Sequence, residues 1–357
     1  MTTSKDDERE QLRDATRGFL ARHRPGTAVR EALERPRALD REAWAAGAAM
    51  GWVGAGVPEE AGGLGGTAAD LATIAEELGR ATFDGPFLGC VLAATLLTGA
   101  ENEQATALVA ALCAGERTAT VVVDAGAADA GVAAEVVSLD ENGLHGTLLA
   151  VLDADVADVL VVPVAGERAV LVDAGAPGVS VRPARGFDLT RRVSAVALDR
   201  AAGSVVDLAP GALTRALALG ATLAAADALG AATRLREMTV DYAQDRIAFG
   251  RSIASYQAVK HKCADMLCWT EGTRVAVDTA TAALDGDGDP AYAVSVAKAY
   301  AGDVCSRVAG EALQLHGGIA FTWEHDLHLL MRRIKADEVL FGDVAEHEDR
   351  LAATLRA

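Results

Sequence analysis

Along the first third of the chain, hydrophobic residues recur at intervals of three and four positions, which predicts amphipathic helices. The pattern covers residues 7–112. It is interrupted by helix-breaking residues at 24–25, at Pro58 and in the glycine-rich run 62–66. We therefore predict an all-α N-terminal domain over residues 1–115.

The middle of the chain has a different pattern. Valine-rich runs at 120–123, 159–162 and 169–172 are separated by Gly, Asp and Pro, which is typical of short strands. The helical period then returns in four segments, 213–249, 255–284, 290–315 and 324–355. The prediction is an α+β fold with a small β domain at 116–208 and a C-terminal four-helix bundle at 209–357.

The charge of the chain argues against several classes of partner. A formal net charge of -18 and a pI near 4.8 would repel nucleic acids and anionic membrane surfaces. A bound diphosphate would need local Arg, Lys or helix N-termini. The longest apolar stretch, 216–232, contains Asp227 and predicts a buried helix, not a membrane span. Residues 1–10 are polar, without a signal-peptide core, so we expect a cytoplasmic protein.

The cysteines give no sign of a disulfide framework or of a metal site. They are odd in number and scattered, at Cys90, Cys113, Cys263, Cys268 and Cys305. Cys263 and Cys268 fall on different faces of a predicted helix, so we expect no metal site.

Candidate binding residues are densest where the first bundle helix is predicted to end. Arg246, Phe249 and Gly250 lie there, and Gln257 follows near the start of the next helix. An Arg at a helix end, a flexible Gly and a nearby amide would suit a diphosphate with its nucleoside. These residues alone leave a second interpretation open, a corner between two helices with an exposed Arg and a buried Phe.

Three segments together resemble the acyl-CoA dehydrogenase family. Residues 246–257 are similar to its R-x-x-F-G motif with a downstream Gln, and residues 311–322 to its Q-x-x-G-G-x-G-F segment, with Ala320 replacing the last Gly. Residues 51–79 resemble its P-E-x-x-G-G-x-G and E-E-L-G signatures. The three segments occur in the family's order and span nearly the whole chain, and the α, β, α layout agrees with them.

The resemblance implies that this chain holds part of an FAD molecule. In that family each FAD site crosses a subunit interface, and the ADP portion is held by the neighbour of the chain that binds the flavin ring. Carried over to this sequence, the ADP-holding set is Arg246 at the pyrophosphate, Phe249 and Gln257 beside it, and Gln314, Gly317 and Gly318 at the adenosine.

The residues that the family uses around the flavin ring and the substrate are replaced. Its T-E-P-x-x-G-S-D run corresponds to 121–130, which lacks the Thr, Pro and Ser, and its W-I-T-N corresponds to 150–153, which reads A-V-L-D. The two family positions for the catalytic base hold Phe341 and Thr214. We therefore predict no catalytic residue, and leave Asp337, Glu338 and Asp343 open as substitute bases.

The resulting hypothesis is a subunit of an FAD-dependent oxidoreductase that acts on CH–CH groups. The resemblance is to the non-catalytic subunit of actinobacterial heterotetrameric dehydrogenases that shorten steroid side chains. It implies a paralogous catalytic partner in an α2β2 assembly, an acyl-CoA substrate bound mainly by that partner, and an electron-transfer flavoprotein as a candidate acceptor. The isolated chain is expected to be inactive. The alternatives are a homo-oligomeric dehydrogenase with a relocated carboxylate and a flavin-free scaffold or regulatory subunit.

Two further groups are assigned structural roles. We expect the arginine pairs 191–192 and 332–333 to be surface charge. We expect Trp323, His325 and His328 to be packing or polar-network residues without a metal.

Overall fold

The computed structural model describes residues 5–23, 39–129, 135–286 and 288–354. Helices come first, then strands, then helices again, so the predicted α+β architecture is confirmed. The predicted break at 24–25 and residue 130 of the segment 121–130 lie outside the described residues.

The N-terminal region is helical, and side-chain caps fix several helix starts. Thr67 and Asp70 form a capping box, with the Asp70 carboxylate accepting from the Thr67 N–H at 2.8 Å. Asn102 caps the fifth helix by accepting from the Ala105 N–H at 3.0 Å. The helices of this region are α1 (Lys5–His23), α2 (Arg41–Ala49), α3 (Ala68–Arg80), α4 (Phe87–Leu97) and α5 (Glu103–Cys113).

The middle region consists of two four-stranded sheets that share a valine-rich core. One sheet has the order β1-β4-β5-β8, in which only β1 and β4 are parallel, and the other is antiparallel with the order β2-β3-β7-β6. Their strands are β1 (Ala119–Val121), β2 (Ser138–Asp140), β3 (Gly143–Leu152), β4 (Val159–Val164), β5 (Arg168–Asp173), β6 (Val179–Pro183), β7 (Val193–Ala201) and β8 (Ser204–Asp207).

The C-terminal region is a helical bundle around one central helix, α6. That helix is long and apolar enough to cross a membrane, but 89% of its most apolar window is buried inside the fold. A short hairpin follows it, made of β9 (Ile247–Ala248) and β10 (Arg251–Ser252). The helices are α6 (Ala212–Asp245), α7 (Gln257–Leu284), α8 (Ala291–His316), α9 (Leu327–Asp337) and α10 (Val344–Thr354).

Two helix predictions need correction. The first bundle helix ends at Asp245 and not at residue 249, because the chain turns into the hairpin there. The last predicted segment, 324–355, contains two helices, since Phe341 and Gly342 take positive φ values of 56° and 98° that no α-helix accepts.

The glutamates of the E-E-L-G segment join the N-terminal helices to the bundle. Glu76 accepts from Arg274 of α7 at 2.8 Å and from Arg13 of α1 at 2.8 Å, and Glu77 accepts from Arg17 at 2.7 Å. Both glutamates are buried, so these bonds satisfy charges that burial would otherwise penalise.

The prediction that Arg191, Arg192 and Arg333 are surface charge is wrong. Arg333 is 2% exposed, and its guanidinium donates to Asp227 at 2.8 Å and to the Phe83 carbonyl at 2.7 Å. Arg192 is 3% exposed and donates to the Asp84 carbonyl at 2.9 Å. Only Arg332 of the four is partly exposed.

Arg191 completes this buried network between the β domain and the bundle. It pairs with Asp337 at the end of α9 and lies 3.2 Å from Asp227 of α6. Burial raises the pKa of Asp337 well above its usual range, against the opposing pull of Arg191. Buried charges of this kind persist only when they are paired, so the network fixes how the domains pack.

Candidate functional site

The hairpin after α6 presents Arg246 and Phe249 to solvent. Phe249 and Gly250 form its turn with φ values of 54° and 79°, the pattern of a two-residue type I′ hairpin. Phe249 is 97% exposed, so the interpretation that buries this ring in a helix corner is wrong for the single chain. A non-glycine residue in this conformation costs about 1–2 kcal/mol, and such strain is concentrated at functional sites.

The start of α7 adds positive charge beside the hairpin. Gln257 is exposed and is the first residue of the helix, whose N-terminus has no side-chain cap and no acidic residue in its first turn. Lys260 and His261 lie instead in the first turns and are exposed. Because a helix N-terminus carries a partial positive charge, this end of a strongly acidic chain is locally suited to an anion.

The end of α8 leaves open space next to its backbone. Gln314, Gly317 and Gly318 are all exposed there. Gly317 has φ 64° and ψ -139°, a conformation that glycine alone adopts readily. A Cβ added to Gly317 or Gly318 would meet no atom within 4 Å, so a ligand could approach the peptide groups closely.

Side-chain contacts hold the three segments at one end of the bundle. The His316 ring of α8 stacks on Tyr242 of α6 with 4.5 Å between centroids, and Lys262 of α7 pairs with Glu311 of α8. His316 also donates from Nδ1 to the Ala312 carbonyl at 2.8 Å, and its burial lowers its pKa. These contacts link the end of α6, the start of α7 and the end of α8.

All six residues predicted to bind the ADP portion are exposed at this end of the bundle. The donor set fits an adenosine diphosphate: a guanidinium, an uncapped helix N-terminus, two side-chain amides and two open glycine peptides. The arrangement is an open platform on the surface of this chain.

The region around the family's catalytic base is closed instead. Phe341 is 1% exposed, and its N–H donates to the Ala125 carbonyl of the β domain at 2.8 Å. Its ring fills the space over Gly220 of α6, where an added Cβ would lie 2.9 Å from it. Lys298 donates to the Gly342 carbonyl at 2.8 Å and so stabilises the loop that contains Phe341 and Gly342.

Among the described residues, the β-domain wall of this region lacks the Thr, Pro and Ser of the family's T-E-P-x-x-G-S-D run and the side chains of its W-I-T-N. The Ala125 N–H donates to Ala150 at 2.6 Å, so both backbone groups of Ala125 are used inside the fold. Asp153 is 5% exposed and accepts from the Gly89 N–H at 3.1 Å, and burial raises its pKa to about 6. No aromatic or hydroxyl side chain occupies positions 150–153.

Three carboxylates that were left open as substitute bases have structural partners. Asp337 is fully buried in its pair with Arg191. Glu338 accepts from the Ser306 hydroxyl at 2.6 Å, and Asp343 caps α10 by accepting from the Glu346 N–H at 2.9 Å. A general base must reach the substrate proton, and these contacts direct the three groups elsewhere. Thr214 lies exposed in the first turn of α6 and offers no carboxylate.

Sequence reasoning missed two residues beside the predicted ADP site, Arg251 and Tyr256. The Arg251 guanidinium lies over the Tyr256 ring, with its carbon 4.0 Å from the centroid. In the sequence, the only sign of a role for Arg251 and Tyr256 is that they lie within the motif segment 246–257. The packing contacts predicted for Trp323, His325 and His328 are present: the Trp323 and His328 rings stack with 4.9 Å between centroids, and the His325 ring meets His316 edge-on at 4.9 Å.

Comparison with family models gives two matches that together cover most of the chain. Residues 6–116 match "Acyl-CoA dehydrogenase, N-terminal domain", and residues 211–355 match "Acyl-CoA dehydrogenase, C-terminal domain". Among curated proteins, acyl-CoA dehydrogenase IpdE2 of Mycobacterium tuberculosis is 33% identical over 97% of this chain and 96% of its own length. Acyl-CoA dehydrogenase FadE34 of the same species is 33% identical over 93% of this chain but only 46% of its own length.

Solved structures with the same fold include two that are named for a pair of proteins. A variant of the Tcur3481–Tcur3483 steroid ACAD aligns with a TM-score of 0.89 at 27% identity, over 99% of both chains. The ChsE4–ChsE5 complex from Mycobacterium tuberculosis aligns with a TM-score of 0.89 at 25% identity, over 100% of this chain and 99% of that one.

Proposed function

The chain belongs to the acyl-CoA dehydrogenase family, and we propose that within this family it is a subunit that lends the ADP half of an FAD site to a catalytic paralogue. The family consists of flavin-dependent oxidoreductases that act on CH–CH groups of CoA thioesters. In this division of work between two chains, this chain carries no catalytic residue.

The buried ring of Phe341 is the observation that carries the proposal. The family's reaction needs a carboxylate to remove the α proton and a flavin to accept the hydride. A phenyl ring at the base position cannot accept a proton, and here it also fills the space between α6 and the β domain. The partner would therefore supply the base and most of the pocket walls.

The exposed end of the bundle supports the other half of the proposal. Arg246, Gln257 and Gln314 are exposed to solvent. There they suit the ADP portion of an FAD molecule whose flavin ring extends into the neighbouring chain. The strained, 97% exposed Phe249 would be covered in such an assembly.

Two of the comparisons support a paired assembly. The similar structures are named for two different proteins, and one is called a steroid ACAD. FadE34 has more than half of its length outside the match, which leaves room for a second chain of this size in one polypeptide. We accordingly propose a paralogous partner and a bulky CoA thioester, such as one with a steroid side chain, as the substrate.

The test is to purify the chain alone and together with its paralogous dehydrogenase. We expect flavin absorbance and thioester oxidation from the complex only. Arg246→Ala and Gln314→Ala should deplete the complex of FAD, whereas the exposed controls Arg215→Ala and Gln104→Ala should not. A flavin-free scaffold would be indifferent to all four changes, and an isolated chain that is yellow and active would contradict the proposal.

A further inference from the structure

Arg251 is held in a defined position next to the hairpin turn. Its guanidinium carbon is 4.0 Å from the centroid of the Tyr256 ring, close enough for a cation–π contact. Such stacking uses the flat face of the guanidinium and leaves the N–H groups at its edge free to donate. The side chain is exposed, so these donors can reach a ligand.

The hairpin register directs Arg246 and Arg251 to the same side. Arg251 pairs with Ala248, and the Ile253 N–H donates to the Arg246 carbonyl at 2.9 Å, which continues the ladder by two residues. Because side chains alternate between the faces of a strand, Arg246 and Arg251 are diagonal neighbours on one face, roughly 7–8 Å apart at their backbones. Two guanidinium groups at this spacing can span the two phosphates of a diphosphate.

Tyr256 fixes both the hairpin and the arginine. Its hydroxyl donates to the Ala248 carbonyl at 3.2 Å, while its ring supports Arg251 from below. The Ser252 hydroxyl donates to the Ala243 carbonyl of α6 at 2.8 Å and ties the second strand to the helix. The hairpin therefore presents Arg251 in a defined position, which lowers the entropy lost on binding.

The charges around the hairpin also favour Arg251 as a second cation beside Arg246. Within the described part of the chain, neither Arg246 nor Arg251 has a carboxylate within 4.0 Å, although the protein has a net charge of -18. Arg191 and Arg333, by contrast, are neutralised by buried aspartates. A diphosphate diester carries two negative charges, and Arg246 alone would balance one of them.

We propose that Arg251 is a second diphosphate-binding residue for the ADP portion of FAD, and that Tyr256 is the positioning residue that holds it. This inference rests on the proposed half-site and assigns to it a residue that the family motif does not. CoA also contains an adenosine diphosphate, and the same two-arginine arrangement would recognise that group, so the test must separate the two sources.

The experiment titrates FAD into the apo form of the assembled complex, followed by flavin fluorescence. Arg251→Ala should weaken FAD binding about 10-fold, the effect of losing one charge-assisted hydrogen bond, and Arg251→Lys should weaken it less. Binding of riboflavin, which lacks both phosphates and the adenosine, should be unchanged in the same variant. The KM for acyl-CoA should also be unchanged.

Tyr256 is tested by a double-mutant cycle. Tyr256→Leu should weaken FAD binding in the wild type but add little in the Arg251→Ala background, because the ring acts through the arginine. Tyr256→Phe retains the ring and should have the smaller effect. Additive losses, or an equal loss of riboflavin binding, would indicate general damage to the hairpin and overturn the positioning role.

The remaining outcomes are separable from a failure of the half-site itself. If Arg246→Ala weakens FAD binding and Arg251→Ala does not, the role given to Arg251 is wrong while the half-site stands. If neither variant affects FAD, the half-site is wrong as well. A raised KM for acyl-CoA with unchanged FAD affinity would overturn the assignment to FAD in favour of the CoA diphosphate.

Discussion

The two ends of the proposed cofactor site differ in how their residues are used within the chain. At the hairpin, the start of α7 and the end of α8, the side chains of the predicted ADP site are exposed, and the ring contacts Arg251–Tyr256 and Tyr242–His316 lie among them. Around Phe341, the corresponding space is filled, and nearby charges are neutralised by partners inside the fold. In the proposed assembly the exposed residues act together with a partner, whereas the filled space around Phe341 contributes to the stability of this chain.

This contrast predicts opposite effects of substitution on stability. Changes in the closed region should destabilise the fold, and changes at the open end should leave it intact while the complex loses cofactor.

The largest loss is expected for Arg333→Met, which removes the centre of the buried ion network. Asp227 and Asp188 would keep their charges without the guanidinium that now lies 2.8 Å and 3.5 Å away. Breaking one partner of a buried pair costs about 3–5 kcal/mol in the free energy of unfolding. Denaturant unfolding measures it, with Arg307→Met as the control, since that residue forms an exposed helical pair worth under about 1 kcal/mol. Equal losses of unfolding free energy in Arg333→Met and Arg307→Met would show that burial does not increase the contribution of an ion pair here.

Phe341→Ala should cost slightly less, about 3 kcal/mol, by leaving a cavity over Gly220. Opening this space should not make the isolated chain bind flavin, because the β-domain wall still lacks its contacts. Unfolding curves and an absorbance spectrum of the same sample check both points. A variant that binds FAD on its own would mean that the ring alone blocks an otherwise intact pocket.

The pH dependence of stability should reveal His347, which lies next to Phe341. Its Nε2 donates to the Phe341 carbonyl at 3.0 Å, and burial lowers its pKa to about 4. Because the folded pKa lies below the unfolded value of 6.5, its contribution is complete above pH 6.5 and is lost as the pH falls toward 4. Wild type should show an added slope of up to about 1.4 kcal/mol per pH unit in this window, absent in His347→Gln. Equal slopes in wild type and His347→Gln would contradict the role given to His347.

The smallest effect on stability is expected at the open end. Phe249→Ala removes a ring that is 97% exposed, so little packing is lost and the free energy of unfolding should change by under about 0.5 kcal/mol. The complex should nevertheless lose FAD affinity. A large loss of stability with unchanged cofactor content would reverse the contrast between the regions.

The sequence predicted the architecture and the family well, because long helical periods and motif segments are local signals. The sequence extended α6 to residue 249, beyond its observed end at Asp245, because Ile247 and Phe249 continue the apolar period. The left-handed turn at Phe249 has no sequence signal of its own. The buried roles of Arg191 and Arg333 were missed for another reason. Their partners lie more than 100 residues away along the chain, and no local pattern announces such pairs.

The six ADP-site residues stay a prediction that rests on the family resemblance, although all of them lie at one end of the bundle. Sequence could name the residue types there but not the stacking of Arg251 on Tyr256, which depends on the path of the hairpin.

The most direct measurement is photolabelling of the complex with FAD that carries an azide on its adenine ring. The proposed division of the site predicts that the label is recovered in this chain, in peptides that cover residues 246–257 or 311–322, and that FMN does not compete it away as effectively as ADP does. Recovery of the adenine label only in the partner would contradict it.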